Sequence, residues 1–274
     1  EFCNFSIEFF DFTQIIKNYN FFVSRHITVE TYFRLFIPFR FPQYEKALYL
    51  DGDMVCRTDI SQLFDTSVSN HLIGGVRDIA VAWYFLPKNL KKDNYRKIYE
   101  YMLSTEKPSD YVNGGMLLIN CEKFRQTYSE KYVVDTIFSR EWQVHDQDVI
   151  NFLAKDKILH LDYFWNFMPN DWAEYLPENF NNKYIEAQKN PKIIHYKPYS
   201  VWYYIPYFYE FWKYATRTPF CEEIVTRMNK NETALDRKLC DRVCYTIRMR
   251  TGFGGAALLK AIIAFLTRKP RNKG

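Results

Sequence analysis

Short apolar runs, each closed by charged or turn-forming residues, recur through the first two hundred residues, with helical-period segments between them. Residues 47–50, 72–76, 116–119, 157–161 and 191–196 have the length and composition of buried strands, and 21–23 is a shorter strand candidate. Residues 28–38 read as a helix, with Thr28 as cap and Tyr32, Leu35 and Phe36 at helical spacing. Residues 11–16 and 59–64 read as short helices, the second capped by Thr58 or Asp59, and Asp146 or Asp148 opens a helix carrying Ile150 and Leu153. Residues 88–97 read as a charged surface helix or loop. Asn113-Gly114-Gly115 reads as a turn leading into the strand at 116–119, its glycines permitting close approach of backbone or ligand. Strand and helix alternate, which predicts an α/β fold with a mostly parallel sheet flanked by helices.

Composition adds size and a compartment. The 274 residues suffice for one large α/β domain plus an appendage, and 47% hydrophobic content supplies a large core. The 24 Phe, 22 Tyr and 6 Trp fit either a bulky core or stacking on sugar C–H faces. Six cysteines show neither Cys-x-x-Cys nor a zinc spacing with His, so they read as reduced thiols of a cytosolic chain. No signal peptide is visible. The sequence opens Glu1-Phe2-Cys3, without Met, and reads as a fragment.

Charge divides the chain. Residues 226–274 carry 12 Lys/Arg against 3 Asp/Glu, whereas the remainder has 25 basic and 29 acidic residues. A mildly acidic body with a strongly basic tail points the tail toward an anionic surface.

The sharpest chemical signal lies where the run 47–50 ends in Asp51-Gly52-Asp53. Ligands of open α/β sheets sit beyond the carboxyl ends of strands. Two carboxylates one residue apart leave such an end on the same side of an extended chain, and Gly52 lets the backbone bend. Hard oxygen donors suit Mg²⁺ or Mn²⁺, which in turn suits a substrate carrying phosphate oxygens. Asp-Gly is also ordinary turn chemistry. An apolar strand followed by Asp-x-Asp-x-Val resembles, too, the start of a haloacid-dehalogenase-type phosphatase, with Asp51 as nucleophile and Asp53 as general acid. His195, at the end of the last strand, is either structural or a third metal ligand.

Five stretches stand in order: Tyr49-Leu50-Asp51-Gly52-Asp53, Val112-Asn113-Gly114-Gly115-Met116-Leu117-Leu118-Ile119-Asn120, Asp146-Gln147-Asp148, Trp165-Asn166 and Ile194-His195-Tyr196. Together they resemble glycosyltransferase family 8, whose bacterial members include lipopolysaccharide galactosyl- and glucosyltransferases. The resemblance spans roughly residues 20–215. It implies a GT-A type, Rossmann-like domain over 1–220, followed by a basic tail over 221–274. By similarity, Asp51, Asp53 and His195 would hold Mn²⁺ or Mg²⁺ against the diphosphate of a UDP-sugar. Asn113, Gly114, Asp146 and Gln147 would line the sugar and acceptor pocket, with Asp146 and Gln147 in catalytic roles and Gln147 near the anomeric carbon. Arg34 matches a donor-binding arginine, and His26 lies near that region. The implied activity is retaining transfer of a hexose from a UDP-sugar to a glycan, such as lipopolysaccharide core, through a front-face displacement.

Two departures from the family pattern stand out. Only about two dozen residues precede Ile27, too few for the first nucleotide-binding unit, which leaves a non-catalytic glycan-binding remnant as an alternative. After His195 the segment is shortened and reordered, and by similarity Lys197 would take the place of the family's diphosphate-binding lysine. In the tail, 221–250 reads as a basic helix, and 256–266 is apolar except for Lys260. Eleven residues are too short to span a bilayer but suit a helix lying in an anionic interface. The expected location is cytoplasmic, peripheral to the inner face of the membrane; no nucleic-acid-binding motif accompanies the charge.

Overall fold

The strands and helices follow the apolar runs closely, but the strands are not laid side by side in the expected direction. The computed structural model describes residues 6–17, 19–23, 28–84, 110–169, 178–196 and 207–226. The strands among them are β1 (Lys46–Leu50), β2 (Met54–Cys56), β3 (Ile73–Arg77), β4 (Val112–Asn120), β5 (Ile158–Leu161) and β6 (Ile193–His195). The α-helices are α1 (Thr13–Ile16), α2 (Ile37–Arg40), α3 (Ser61–Phe64), α4 (Ile79–Tyr84), α5 (Cys121–Thr127), α6 (Glu130–Phe138), α7 (His145–Leu153), α8 (Glu178–Lys189) and α9 (Phe208–Ala215). His26, Lys197, the segment 88–97 and the tail beyond residue 226 lie outside the described residues.

One sheet has the order β1-β4-β3-β5 and a second pairs β2 with β6. Only β3–β5 is parallel; β1–β4, β3–β4 and β2–β6 are antiparallel. The architecture is therefore α/β with a sheet that contains a parallel pair, and the mostly parallel arrangement does not hold among the described strands. The physical reason is that β4 is buried on both faces from Val112 to Ile119, so its burial pattern is the same whichever way its neighbours run.

Asn113, Gly114 and Gly115 lie inside β4 rather than in a turn before it. A polar-glycine triplet survives there because its neighbours engage the Asn113 side chain and the backbone groups of both glycines, as the site shows. Residues 29–35 form a 3₁₀ helix rather than the expected α-helix, and the Thr28 side chain makes no capping bond. Pro38 sits in the first turn of α2, where a missing N–H costs nothing. Residues 21–23 are not a strand. Short helices form at Thr13–Ile16 and Ser61–Phe64, but Phe12 and Ile60 take the cap positions in place of Asp59 or Thr58; Asp11 accepts from Thr13 N at 2.7 Å and Asp59 from Ser61 N at 2.8 Å, each from one residue farther out.

The apolar core joins Leu72 and Ile73, Leu117 and Ile119, and the inward faces of the flanking helices, including Phe124, Ile137 and Val149. Cys56, Cys121 and Cys221 are free thiols, and burial pushes the Cys121 thiol up to about 11. No helix among the described residues is long and apolar enough to cross a membrane.

The chain divides into two compact units, Glu1–Val201 and Trp202–Gly274. The second contributes α9, where Phe211 and Trp212 meet edge to face and Lys213 pairs with Glu210 at 3.0 Å, and a helical stretch at 221–226.

One amide fastens α7 to the first residue of the central strand. Asn151 accepts from Val112 N at 2.8 Å, donates to Val112 O at 2.8 Å and donates to Gln147 O at 2.9 Å. It satisfies both backbone groups of the residue that starts β4. Replacement by an isosteric apolar residue leaves two buried backbone groups unpaired, at about 1–3 kcal/mol each. Asn151→Leu should lower the urea midpoint by the equivalent of about 3 kcal/mol; an unchanged midpoint would contradict this role.

Candidate metal centre

β1 delivers Asp51 at its end, and the turn 51–53 leads directly into β2. Asp51 N–H still belongs to the sheet, donating to Gly115 O at 2.8 Å. β2 then pairs with β6 so that Met54 faces His195, and Tyr196 N donates to Asp53 O at 2.8 Å. Two three-residue strands thus carry a histidine to an acid pair about 140 residues earlier in the chain.

The side chains converge. His195 Nε2 lies 3.2 Å from Asp53 Oδ1 and 3.8 Å from Asp51 Oδ2. One ligand atom from each of the three residues falls within 4.8 Å of the others. His195 is buried, Asp51 half-buried and Asp53 exposed, so the group opens to solvent on the Asp53 side. Two carboxylate oxygens and an imidazole nitrogen form a donor set suited to Mn²⁺ or Mg²⁺.

Gly115 makes the convergence possible. A Cβ there would lie within van der Waals contact of His195 Cε1, 2.8 Å from Asp51 Oδ2 and 3.0 Å from Asn113 Oδ1. Gly52, by contrast, has nothing within 4 Å of an added Cβ and does not adopt the left-handed conformation. The bend between the two acids therefore does not need glycine, contrary to the expectation from sequence.

Arg34 organises the next layer. Its Nη2 pairs with Asp51 Oδ1 at 3.2 Å and its Nε with Asp146 Oδ2 at 3.0 Å, while Nη1 donates to Gly114 O. The guanidinium lies over the Tyr49 ring at 4.5 Å, and the Tyr49 hydroxyl donates to Asp51 Oδ1 at 2.6 Å. Asp51 and Tyr49 share a strand face, as their spacing requires. Burial pushes the Asp146 carboxyl up to about 6 against the pull of Arg34.

Asp146 and Asp148 behave differently although both lie in the first turn of α7. Asp148 accepts from Val144 N at 2.8 Å and from the Tyr111 hydroxyl at 2.6 Å, so it secures the helix start and the edge of β4. Asp146 turns to Arg34. Gln147 Oε1 accepts from Gly114 N at 2.8 Å and Asn113 Nδ2 at 3.2 Å.

Three residues with no assigned role in the sequence analysis prove central. Asp78 Oδ2 accepts from Asn113 Nδ2 at 2.9 Å and Gln147 Nε2 at 3.2 Å, while its Oδ1 caps α4 at Val81 N, 3.0 Å away. Asn166 contacts His195 Nδ1 at 3.0 Å through Oδ1 and donates Nδ2 to Asn113 Oδ1 at 3.0 Å. Tyr49 is the third. An aspartate between the strand near 72–76 and the apolar run after it was the visible signal for Asp78.

A profile of glycosyl transferase family 8 matches residues 2–204. The lipopolysaccharide 1,2-glucosyltransferase of Escherichia coli K12 is 25% identical over 164 residues, which are 58% of this chain and 45% of that protein. The WbbM bifunctional glycosyltransferase superposes with a TM-score of 0.66 at 24% identity, over 74% of this chain and 38% of that one. The galactosyltransferase LgtC, solved in complex with donor and acceptor sugar analogues, gives a TM-score of 0.51 at 25% identity, over 67% and 64%. The chain spans less than half the length of several of the curated relatives it matches.

Two outcomes test this geometry. Gly115→Ala must displace His195 or Asp51, and metal sites tolerate only about 0.2 Å of ligand displacement. Mn²⁺ affinity by calorimetry should fall at least about tenfold, while Gly52→Ala keeps it; equal affinities in all three proteins would contradict the close approach. Asp146 supplies a pH test in metal-free buffer. Its unfolded carboxyl ionises near 3.8 and its folded one near 6, so folding retains a proton that the unfolded chain releases. Wild-type stability should therefore fall relative to Asp146→Asn as pH rises from about 4 to about 6, by about 3 kcal/mol in all. A flat or opposite difference in urea midpoints would refute the assignment.

Proposed function

The chain belongs to glycosyl transferase family 8, with the GT-A fold, and from that premise we propose that it transfers a hexose from a UDP-sugar to a glycan acceptor with retention of configuration. Lipopolysaccharide core is the acceptor class we favour, in keeping with the Escherichia coli relative. The observation that carries the reading is the convergence of Asp51, Asp53 and His195 within 4.8 Å beside a solvent-open face.

Those three residues would hold a divalent cation, Mn²⁺ in our reading. When bound, such an ion neutralises negative charge gained by the diphosphate as the sugar departs. The protein's part is to hold its ligands still. Arg34 ties Asp51 to Asp146 and to the backbone of β4, so the end of β1, the glycine pair and the start of α7 are held to one another. Gln147 cannot act freely as a nucleophile, because both lone-pair directions of Oε1 are engaged by Gly114 and Asn113. It instead presents a fixed amide beside the centre, which favours front-face displacement over a covalent intermediate.

The phosphatase alternative for Asp51 and Asp53 gives no work to His195, which the fold carries to the acids at the cost of a dedicated two-stranded ladder. A non-catalytic glycan-binding remnant makes a different prediction about nucleotide. Calorimetric titration of the chain with UDP, with and without Mn²⁺, separates the readings. The transferase reading expects UDP binding that requires the metal, and release of UDP from a UDP-hexose when acceptor glycan is added. Absence of metal-dependent UDP binding would overturn it.

A further inference from the structure

Four polar side chains form an unbroken relay from the N-terminus of α4 to the imidazole of His195. We propose that Asp78, acting through Asn113 and Asn166, is a positioning residue that fixes the His195 tautomer and thereby sets the affinity of the centre for its divalent cation. This rests on the metal-centre reading of Asp51, Asp53 and His195.

The direction of each bond follows from donors and acceptors whose roles are not free. Gly115 N–H can only donate, and it meets Asn113 Oδ1 at 3.0 Å. That assignment turns Asn113 Nδ2 toward Asp78 Oδ2, 2.9 Å away, which accepts from it. Gly114 N–H likewise fixes Gln147 Oε1, at 2.8 Å, and turns Gln147 Nε2 toward the same Asp78 oxygen, at 3.2 Å. With Asn113 Oδ1 an acceptor, Asn166 must present Nδ2 to it, at 3.0 Å. Asn166 Oδ1 is then the atom facing His195 Nδ1, at 3.0 Å. An amide oxygen there requires Nδ1 to carry the proton, so in the neutral ring the Nε2 lone pair is the one aimed at the acid pair, 3.2 Å from Asp53.

An imidazole that ligates a metal through Nε2 is best served by a partner accepting from Nδ1, which fixes the ring plane as well as the tautomer. Asn113, Asn166 and His195 are buried, and water has little access to substitute for a lost partner. Asp78 is buried as well, and its second oxygen is committed to Val81 N at 3.0 Å. It cannot rotate away from the relay without uncapping α4.

Coupling separates this role from a merely structural one. Asp78→Asn inserts an amide: with its nitrogen toward the relay both the Asn113 and Gln147 donors lose their acceptor, and with its oxygen there Val81 N and the cap that holds Asp78 in place are lost. Mn²⁺ affinity, measured by paramagnetic resonance titration, should fall about tenfold or more. Asn166→Leu should cause a loss of similar size. In the Asn166→Leu background, Asp78→Asn should cost no more than about twofold, because the path to His195 is already cut. Simple loss of the Asp78 charge near the cation would instead persist in that background. Nitrogen-15 shifts of the metal-free protein in alkaline buffer, with the His195 signal assigned by its loss in His195→Gln, should show Nδ1 protonated in the wild type. They need no folded variant beyond that one.

Additive losses in the double variant, or an Nε2-protonated imidazole in the wild type, would overturn the proposal. If the wild-type chain binds no Mn²⁺, the metal-centre reading itself fails, which is a different result from Mn²⁺ binding that is indifferent to Asp78.

Discussion

Two consecutive residues without side chains, Gly114 and Gly115, are the surface on which the centre is assembled. Their backbone groups meet Arg34, Asp51, Asn113 and Gln147 directly. The space left by the missing Cβ of Gly115 holds His195 and Asp51 together. Because β4 is buried from Val112 to Ile119 and lies between β1 and β3, this surface is continuous with the core of the sheet, although the β3–β4 register shifts beside it. Precision at the centre is therefore inherited from the core, which suits a site whose ligands must stay within tenths of an ångström.

Around that strand the fold manages buried charge by sharing it. Arg34 and Asp146 are both buried, a costly state unless each is paired and hydrogen-bonded. Arg34 spends its donors on two carboxylates, on Gly114 O and on Thr31 O at 2.9 Å, and lays its face on Tyr49. Removing it would strand Asp146 in the interior, a change of several kcal/mol. One cation thus links the 3₁₀ segment Val29–Leu35, the end of β1, the glycine pair and the first turn of α7. The second polar system, from Asp78 through Asn113 to Asn166, approaches His195 from the opposite side and uses amides in place of charges.

Much of the centre was legible in the sequence. The acid pair announced itself at the end of an apolar run, and His195 stood at the end of another. Strands β1, β3, β5 and β6 were found within a residue or two, because buried strands are bounded by turn residues that local chemistry reveals, whereas β2 was not anticipated and β4 begins four residues before the run at 116–119. Strand direction was not legible: β4 is buried on both faces, and nothing in its residues distinguishes an antiparallel neighbour from a parallel one. The turn reading of Asn113-Gly114-Gly115 failed for a related reason. Local propensity sees two glycines as a bend, whereas here tertiary contacts from Arg34, Gln147 and His195 fill the room they leave. Asp78 and Asn166 stayed hidden because their meaning lies in whom they touch, and those partners are 35 and 29 residues away.

The central claim is that Asp51, Asp53 and His195 share one cation. Crystals of the chain grown with Mn²⁺ and UDP, with diffraction recorded at the manganese edge, address it most directly. The account predicts one anomalous peak about 2.0–2.2 Å from an oxygen of each aspartate and from His195 Nε2. A peak bound by the aspartates with His195 outside its coordination sphere, or no peak between them, would contradict it.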